Sequence, residues 1–245
     1  MALVFAMVYP SLMAWLYFVV LAGNASEKPV AAPPRNPLVV GAYSVTKVIQ
    51  FAFPLIWVLG VERRRLGLAP PTATGLRAGL AFGLAVGGLV LAVYWALVRH
   101  GRLIAVDVPV SRLRIKIAEF GLGTPAAYVA FGFFLAVIHS FLEEYYWRWF
   151  VFGGLQKMMP LAAAIVISSV AFMAHHVIDL AVILPGYFWA VVLPMAAAVG
   201  FGGAFWARLY ARTGSLYAAW LSHLLVDAAI MTVGYDLIFN DPGSR

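Results

Sequence analysis

The sequence predicts an all-α fold, a polytopic membrane bundle of about seven transmembrane helices, and three observations carry that expectation. Apolar residues make up 64% of the chain and charged residues only 11%, where soluble domains carry roughly 25% charge. Seven apolar runs reach or approach the ~20 residues that a helix needs to cross a bilayer. Glycine, proline and basic residues punctuate the gaps between them. An eighth span arises if one long run is broken.

The composition also excludes several classes. The 245 residues include no cysteine, which removes disulfides, thiolate metal sites and cysteine nucleophiles. The net charge of +7 sits in short loops and at helix ends, where it sets orientation and meets anionic lipid. No basic run is interleaved with aromatics, so nucleic acid is not an expected partner. Residues 1–245 read as a single membrane domain.

In chain order, Leu3 to Ala22 is the first span. It lacks the basic start of a signal peptide and reads as a retained helix. Gly23 to Pro37, with four prolines, is a loop. The second span covers about Leu38 to Gly60 and is followed by Glu62-Arg63-Arg64-Arg65. The third runs from about Leu76 to Val98, and Gly79, Gly83 and Gly87, spaced four apart, predict a face for close helix packing. Arg99 to Gly123 is basic, with Leu113, Ile117 and Phe120 at helical spacing, and reads either as an interfacial amphipathic helix or as a loop.

The fourth span, Pro125 to Leu155, is longer than a bilayer requires. Pro160 to Ile178 is the fifth. Tyr187 to Tyr210 is the sixth, with Pro194 at a kink and Gly200, Gly202 and Gly203 at a packing point. Thr213-Gly214-Ser215 turns the chain into the seventh, Ser215 to Phe239. Basic residues at 63–65, 157, 208 and 212 share one side in this scheme and predict a cytoplasmic face. The 99–116 loop falls on the other side.

Within this frame Glu143-Glu144-Tyr145-Tyr146-Trp147-Arg148 stands out, because it lies inside the fourth span. An ionisable residue at mid-bilayer costs roughly 2.5–3.5 kcal/mol on insertion scales, so such residues mark function by default. Glu144 and Arg148 share a helical face and can pair. Glu143 is turned by about 100° from Glu144 and points elsewhere. Phe172/His176 and His223/Asp227 are two further pairs one turn apart on predicted spans. His175 reads as a packing residue, and His139, one turn before Glu143, as a supporting one.

Together Glu143-Glu144-x-x-x-Arg148, Phe172-x-x-x-His176 and His223-x-x-x-Asp227, with the Thr213-Gly214-Ser215 turn, resemble the CPBP family of intramembrane glutamic proteases. That family includes the type II CAAX prenyl endopeptidases and the Abi-type bacteriocin self-immunity proteins. The resemblance implies a catalytic core over 124–240 and an intramembrane, metal-independent endopeptidase. Glu143 is then the general base, assisted by His176, and His223 with Asp227 stabilises the oxyanion. Glu144, Arg148 and Phe172 support the site. The implied partners are membrane lipids and a membrane-associated protein or peptide, prenylated or carrying a C-terminal sorting signal. The implied location is the cell membrane.

Asp227 stands where many members carry Asn, and an ionised carboxylate cannot donate to an oxyanion. This leaves open a zinc-dependent protease with Glu143, His176, His223 and Asp227 as ligands, although no His-Glu-x-x-His motif is present. A transporter or a scaffold with a polar cavity is the non-enzymatic alternative. Internal repeats that would favour a transporter are not evident. Serine and aspartyl types lack their nucleophile turns: Ser215 reads as a helix cap, Ser222 as packing, and Asp236 lies near a helix end.

Overall fold

A computed structural model describes residues 1–21, 36–99 and 107–240, and of 107–109 only the backbone. Most of the expected loop Gly23–Pro37 and the start of the basic stretch after Arg99 lie outside these residues. The described residues form helices α1 (Ala2–Val20), α2 (Pro37–Val61), α3 (Ala73–Val98), α4 (Asp107–Glu119), α5 (Pro125–Leu155), α6 (Leu161–Ile183), α7 (Phe188–Thr213) and α8 (Leu216–Phe239). All but α4 are long and apolar enough to cross a membrane. The protein is an all-α integral membrane bundle.

Local chemistry explains where these helices start. Asn36 accepts from the Leu38 and Val39 amides at 3.1 and 3.3 Å, Thr72 from Gly75 at 3.1 Å, and Thr124 from Ala127 at 3.3 Å. Each side chain satisfies donors that a helix start leaves free. Pro37 and Pro125 follow two of these caps, where a missing amide hydrogen costs nothing. Gly214 ends α7 with a positive φ of 66°, a conformation that glycine adopts without a Cβ clash. Ser215 occupies the cap position of α8, but its side chain makes no capping bond. The Thr213 hydroxyl instead accepts from the Ser215 amide at 3.2 Å.

The glycines of α3 decide where α8 sits. A Cβ at Gly79 would strike the Ala218 carbonyl, and one at Gly83 would come within 3.0 Å of the Ser222 backbone. At Gly87 it would meet the Leu225 carbonyl at 3.2 Å. The ladder thus packs backbone on backbone, as small-residue faces do in membranes. At the far end Asp236 of α8 accepts from Tyr94 Oη at 2.6 Å and Arg99 Nε at 2.8 Å, which gives that aspartate a structural partner.

Other contacts complete the bundle. Helix α6 lies between α1 and α7. Gly200 closes on Met173, and Gly203 on Phe172 and Ser169, the expected packing point. Pro194 stands just after a widened stretch, Phe188–Val192, at the start of the regular part of α7. The basic stretch forms a helix, α4. Its end joins α2 through the Asn36 amide donating to the Glu119 carbonyl at 3.0 Å, and Phe120 sets its edge against Tyr43 at 5.4 Å. Helix α6 continues to Ile183, five residues past the sequence-based end at Ile178.

Enlarging Gly79 should separate α3 from α8. We expect Gly79→Leu to destabilise the protein by ~1–3 kcal/mol, the usual cost of overpacking, read as a lower unfolding midpoint in detergent. Gly88→Ala is the control, since a Cβ there meets nothing within 4 Å, and its midpoint should not fall.

Candidate active site

The centre of α5 is built unusually. Regular α-helix is confined to Ser140–Glu144, and the turns widen on both sides, over Phe134–His139 and Tyr145–Phe152. Wide turns leave i→i−4 acceptors unused and often occur at functional sites. The Val137 carbonyl, in the first widened stretch, accepts a bond from Trp220 Nε1 of α8 at 2.8 Å. Tyr146 Oη donates to the Ala6 carbonyl of α1 at 2.7 Å. The segment carrying the two glutamates is therefore fixed to helices on either side of it.

Glu144 and Arg148 are 0% and 2% exposed. Arg148 Nε lies 3.1 Å from Glu144 Oε2, off the direction of a formal hydrogen bond, so the pair is chiefly coulombic. The guanidinium also lies over the rings of Phe172 and Trp206, at 4.6 and 5.1 Å from their centroids, an arrangement that favours a cation. Gly203 leaves room for it: a Cβ there would meet Arg148 Nη2 at 3.5 Å and Phe172 at 3.1 Å.

The other Glu144 oxygen binds His223. Its Oε1 is 2.8 Å from His223 Nδ1, and because a carboxylate only accepts, that nitrogen carries the proton. Trp206 stacks on the imidazole with centroids 4.2 Å apart and planes 17° from parallel. Trp206 Nε1 in turn donates to Ser222 Oγ at 2.9 Å. Ser222 is thus a hydrogen-bond acceptor that orients the tryptophan, and its neighbour in sequence is the histidine that the tryptophan covers.

Glu143 faces the other way, into a cavity of about 380 Å³ bounded by α1, α2, α4, α5, α6 and α8. Its Oε1 lies 3.8 Å from His175 Nε2 and 3.9 Å from His139 Nε2, and its Oε2 lies 3.7 Å from His223 Nε2. The same His223 nitrogen is 3.6 Å from Asp227 Oδ1. All four gaps exceed hydrogen-bond length, and polar pairs at this spacing accommodate a bridging water. Among the described residues, no group of three His, Asp or Glu is arranged to hold a metal ion.

The structure therefore brings Glu143, His223 and Asp227 to one cavity wall, with Glu144, Arg148 and Phe172 packed behind it. His176 lines the cavity as well, but its Nδ1 is engaged by the Phe172 carbonyl at 3.0 Å, with the Phe172 ring 4.8 Å away. His175, expected as a packing residue, is the member of the pair that reaches Glu143. It stacks on Trp147 with planes 4° from parallel. Glu144, more than Asp227, holds the His223 ring through a hydrogen bond. Lys47 and Asp179, which also line the cavity, had no recognised pattern in the sequence beyond being ionisable within an apolar run.

Breaking the Glu144–Arg148 pair should be costly, because the remaining charge stays buried. We expect Arg148→Met and Glu144→Ala each to lose ~3–5 kcal/mol of stability, measured by unfolding in detergent. The double substitution should recover part of that loss.

Residues 125–229 match a family model described as Type II CAAX prenyl endopeptidase Rce1-like. No curated protein and no solved structure matches the chain. The matched segment contains Glu143, Glu144, Arg148, Phe172, His175, His176, Trp206, His223 and Asp227. The resemblance carried by the three motifs thus holds, and from 125 to 229 the chain is a match to the Rce1-like type II CAAX prenyl endopeptidases.

Proposed function

We propose that this protein is an intramembrane endopeptidase in which Glu143 activates water without a metal ion. The observation that carries this reading is the contrast between two adjacent carboxylates. Glu144 is committed on both oxygens, to Arg148 and to His223. Glu143 faces a cavity and three imidazoles, each just beyond hydrogen-bond reach. A buried carboxylate without a fixed partner, beside room for water, has what a general base requires.

The step balances as follows. Glu143 takes a proton from water while the oxygen bonds to the scissile carbonyl carbon, and the carbonyl π pair moves to its oxygen. His223, held from Nδ1 by Glu144, donates to that oxyanion from Nε2 when its ring is protonated. The oxyanion pair then re-forms the carbonyl as the C–N bond breaks. The departing amine keeps that bond's pair and collects the proton held by Glu143, leaving a carboxyl group on the new C-terminus. His175 and His176 stand on the same wall, where either can position the water.

The substrate we propose is a membrane-associated protein or peptide cut near its C-terminal end or at a membrane boundary. The family description supports a prenylated CAAX chain first, and a sorting-signal peptide is the second candidate. The location we propose is the cell membrane.

The test is cleavage of a farnesylated CAAX peptide by the purified protein in nanodiscs, with and without a strong chelator. Glu143→Ala should lower kcat by at least about 100-fold, the scale of general-base catalysis, with no loss of folded protein. Activity lost to chelator would replace this mechanism with the zinc-dependent one. Normal turnover by Glu143→Ala would remove Glu143 from the chemistry. A second comparison separates the two histidines: His175→Ala should lower kcat more than His176→Ala, because only His175 lies within 4 Å of Glu143, at 3.8 Å.

A further inference from the structure

Helix α2 places a lysine inside the bundle. Lys47 is the eleventh residue of a span that runs from Pro37 to Val61, so about 15 Å of helix separates it from the start. A cation at that depth is rare without a purpose. Its side chain lines the same cavity as Glu143.

Among the described residues, its hydrogen-bonding shell offers it one acceptor. Lys47 Nζ donates to Gln50 Oε1 at 3.3 Å. Glu143 and Asp179 line the same cavity and attract it through space, but among the described residues no carboxylate forms a direct ion pair with it. Gln50 is only 2% exposed, and its Nε2 is buried with no acceptor. The rings of Tyr43 and Phe51 lie 5.7 Å from the ammonium. Lys116, the other lysine on the cavity, is already paired with Glu119 at 3.0 Å. A half-buried ammonium with donors to spare and a buried amide NH₂ without an acceptor form a cradle for a small anion.

We propose that Lys47, with Gln50 beside it, receives the C-terminal carboxylate of the peptide whose scissile bond lies at Glu143. This rests on the peptidase reading above. Lys47 lies outside the segment 125–229 that the family model matches, so the assignment is not inherited from that match. The cavity supplies the direction: the base stands on α5 and the cation on α2, so the residues released by cleavage lie between them. The site selects a chain that ends within the cavity over one that passes through it, since only an end supplies the anion.

The experiment uses the full chain carrying Glu143→Gln, in nanodiscs, so that binding is read without turnover. Three fluorescent farnesylated CAAX peptides serve as probes: a free acid, its C-terminal amide, and an amide ending in aspartate. The acid should bind at least about tenfold more tightly than the plain amide, the scale of one charge-assisted hydrogen bond. Adding Lys47→Met should reduce that ratio to near one, and Lys47→Arg should retain it. A ratio near one in the parent, or one that survives Lys47→Met, overturns the proposal. Equal binding of the aspartate amide and the acid overturns the assignment to the chain terminus. Equal cleavage of acid and amide by the wild type sinks this inference and leaves the peptidase reading standing. No binding of any probe by cooperatively folded protein overturns both.

Discussion

The structure around the site depends on keeping one guanidinium charged where water does not reach. Arg148 is 2% exposed, and burying an ion costs several kcal/mol unless its partners are well placed. Glu144 supplies the opposite charge, Phe172 and Trp206 supply ring faces, and Gly203 supplies the space. These residues come from α5, α6 and α7, so the arginine ties three helices at one level of the bundle. Its pairing also fixes the outcome for Glu144, whose second oxygen is then set to hold His223 on α8. The supporting ion pair and the cavity wall are one construction.

The same economy appears in α8. The glycine ladder of α3 sets how closely α8 approaches, and Gly83 packs against the backbone of Ser222. Ser222 accepts from Trp206, and Trp206 covers His223. Helix packing therefore leads to the imidazole in two contacts. The two adjacent glutamates differ in environment for the same reason. Glu144 faces the packed interior of the bundle, whereas Glu143, about 100° around the helix, faces the cavity.

How much of this was legible in the sequence follows from the kind of signal each feature leaves. The spans were readable because twenty apolar residues in a row have few other uses, and the Gly79–Gly83–Gly87 spacing announced a packing face. What it packs against was not readable, because a ladder does not name its partner. Glu143, Glu144, Arg148, His223 and Asp227 were legible as charges or pairs inside apolar runs. His175 and His176 are adjacent, and on a regular helix the turn from Phe172 favours His176. That His175 approaches Glu143 and Trp147 is set by the packing of α5 on α6, a tertiary fact. The wide turns of α5 leave no sequence signature, and neither does the place of Asp179, which lies on α6 just past Ile178 and lines the cavity.

The central claim is that Glu143 activates water for direct attack and forms no covalent bond with the substrate. Single-turnover cleavage in the presence of hydroxylamine tests it most directly. Direct attack by water yields only the free carboxylate on the new C-terminus, at a rate that hydroxylamine does not divert. An acyl intermediate on Glu143 or any other side chain would be intercepted, and a hydroxamate on the product would contradict the account.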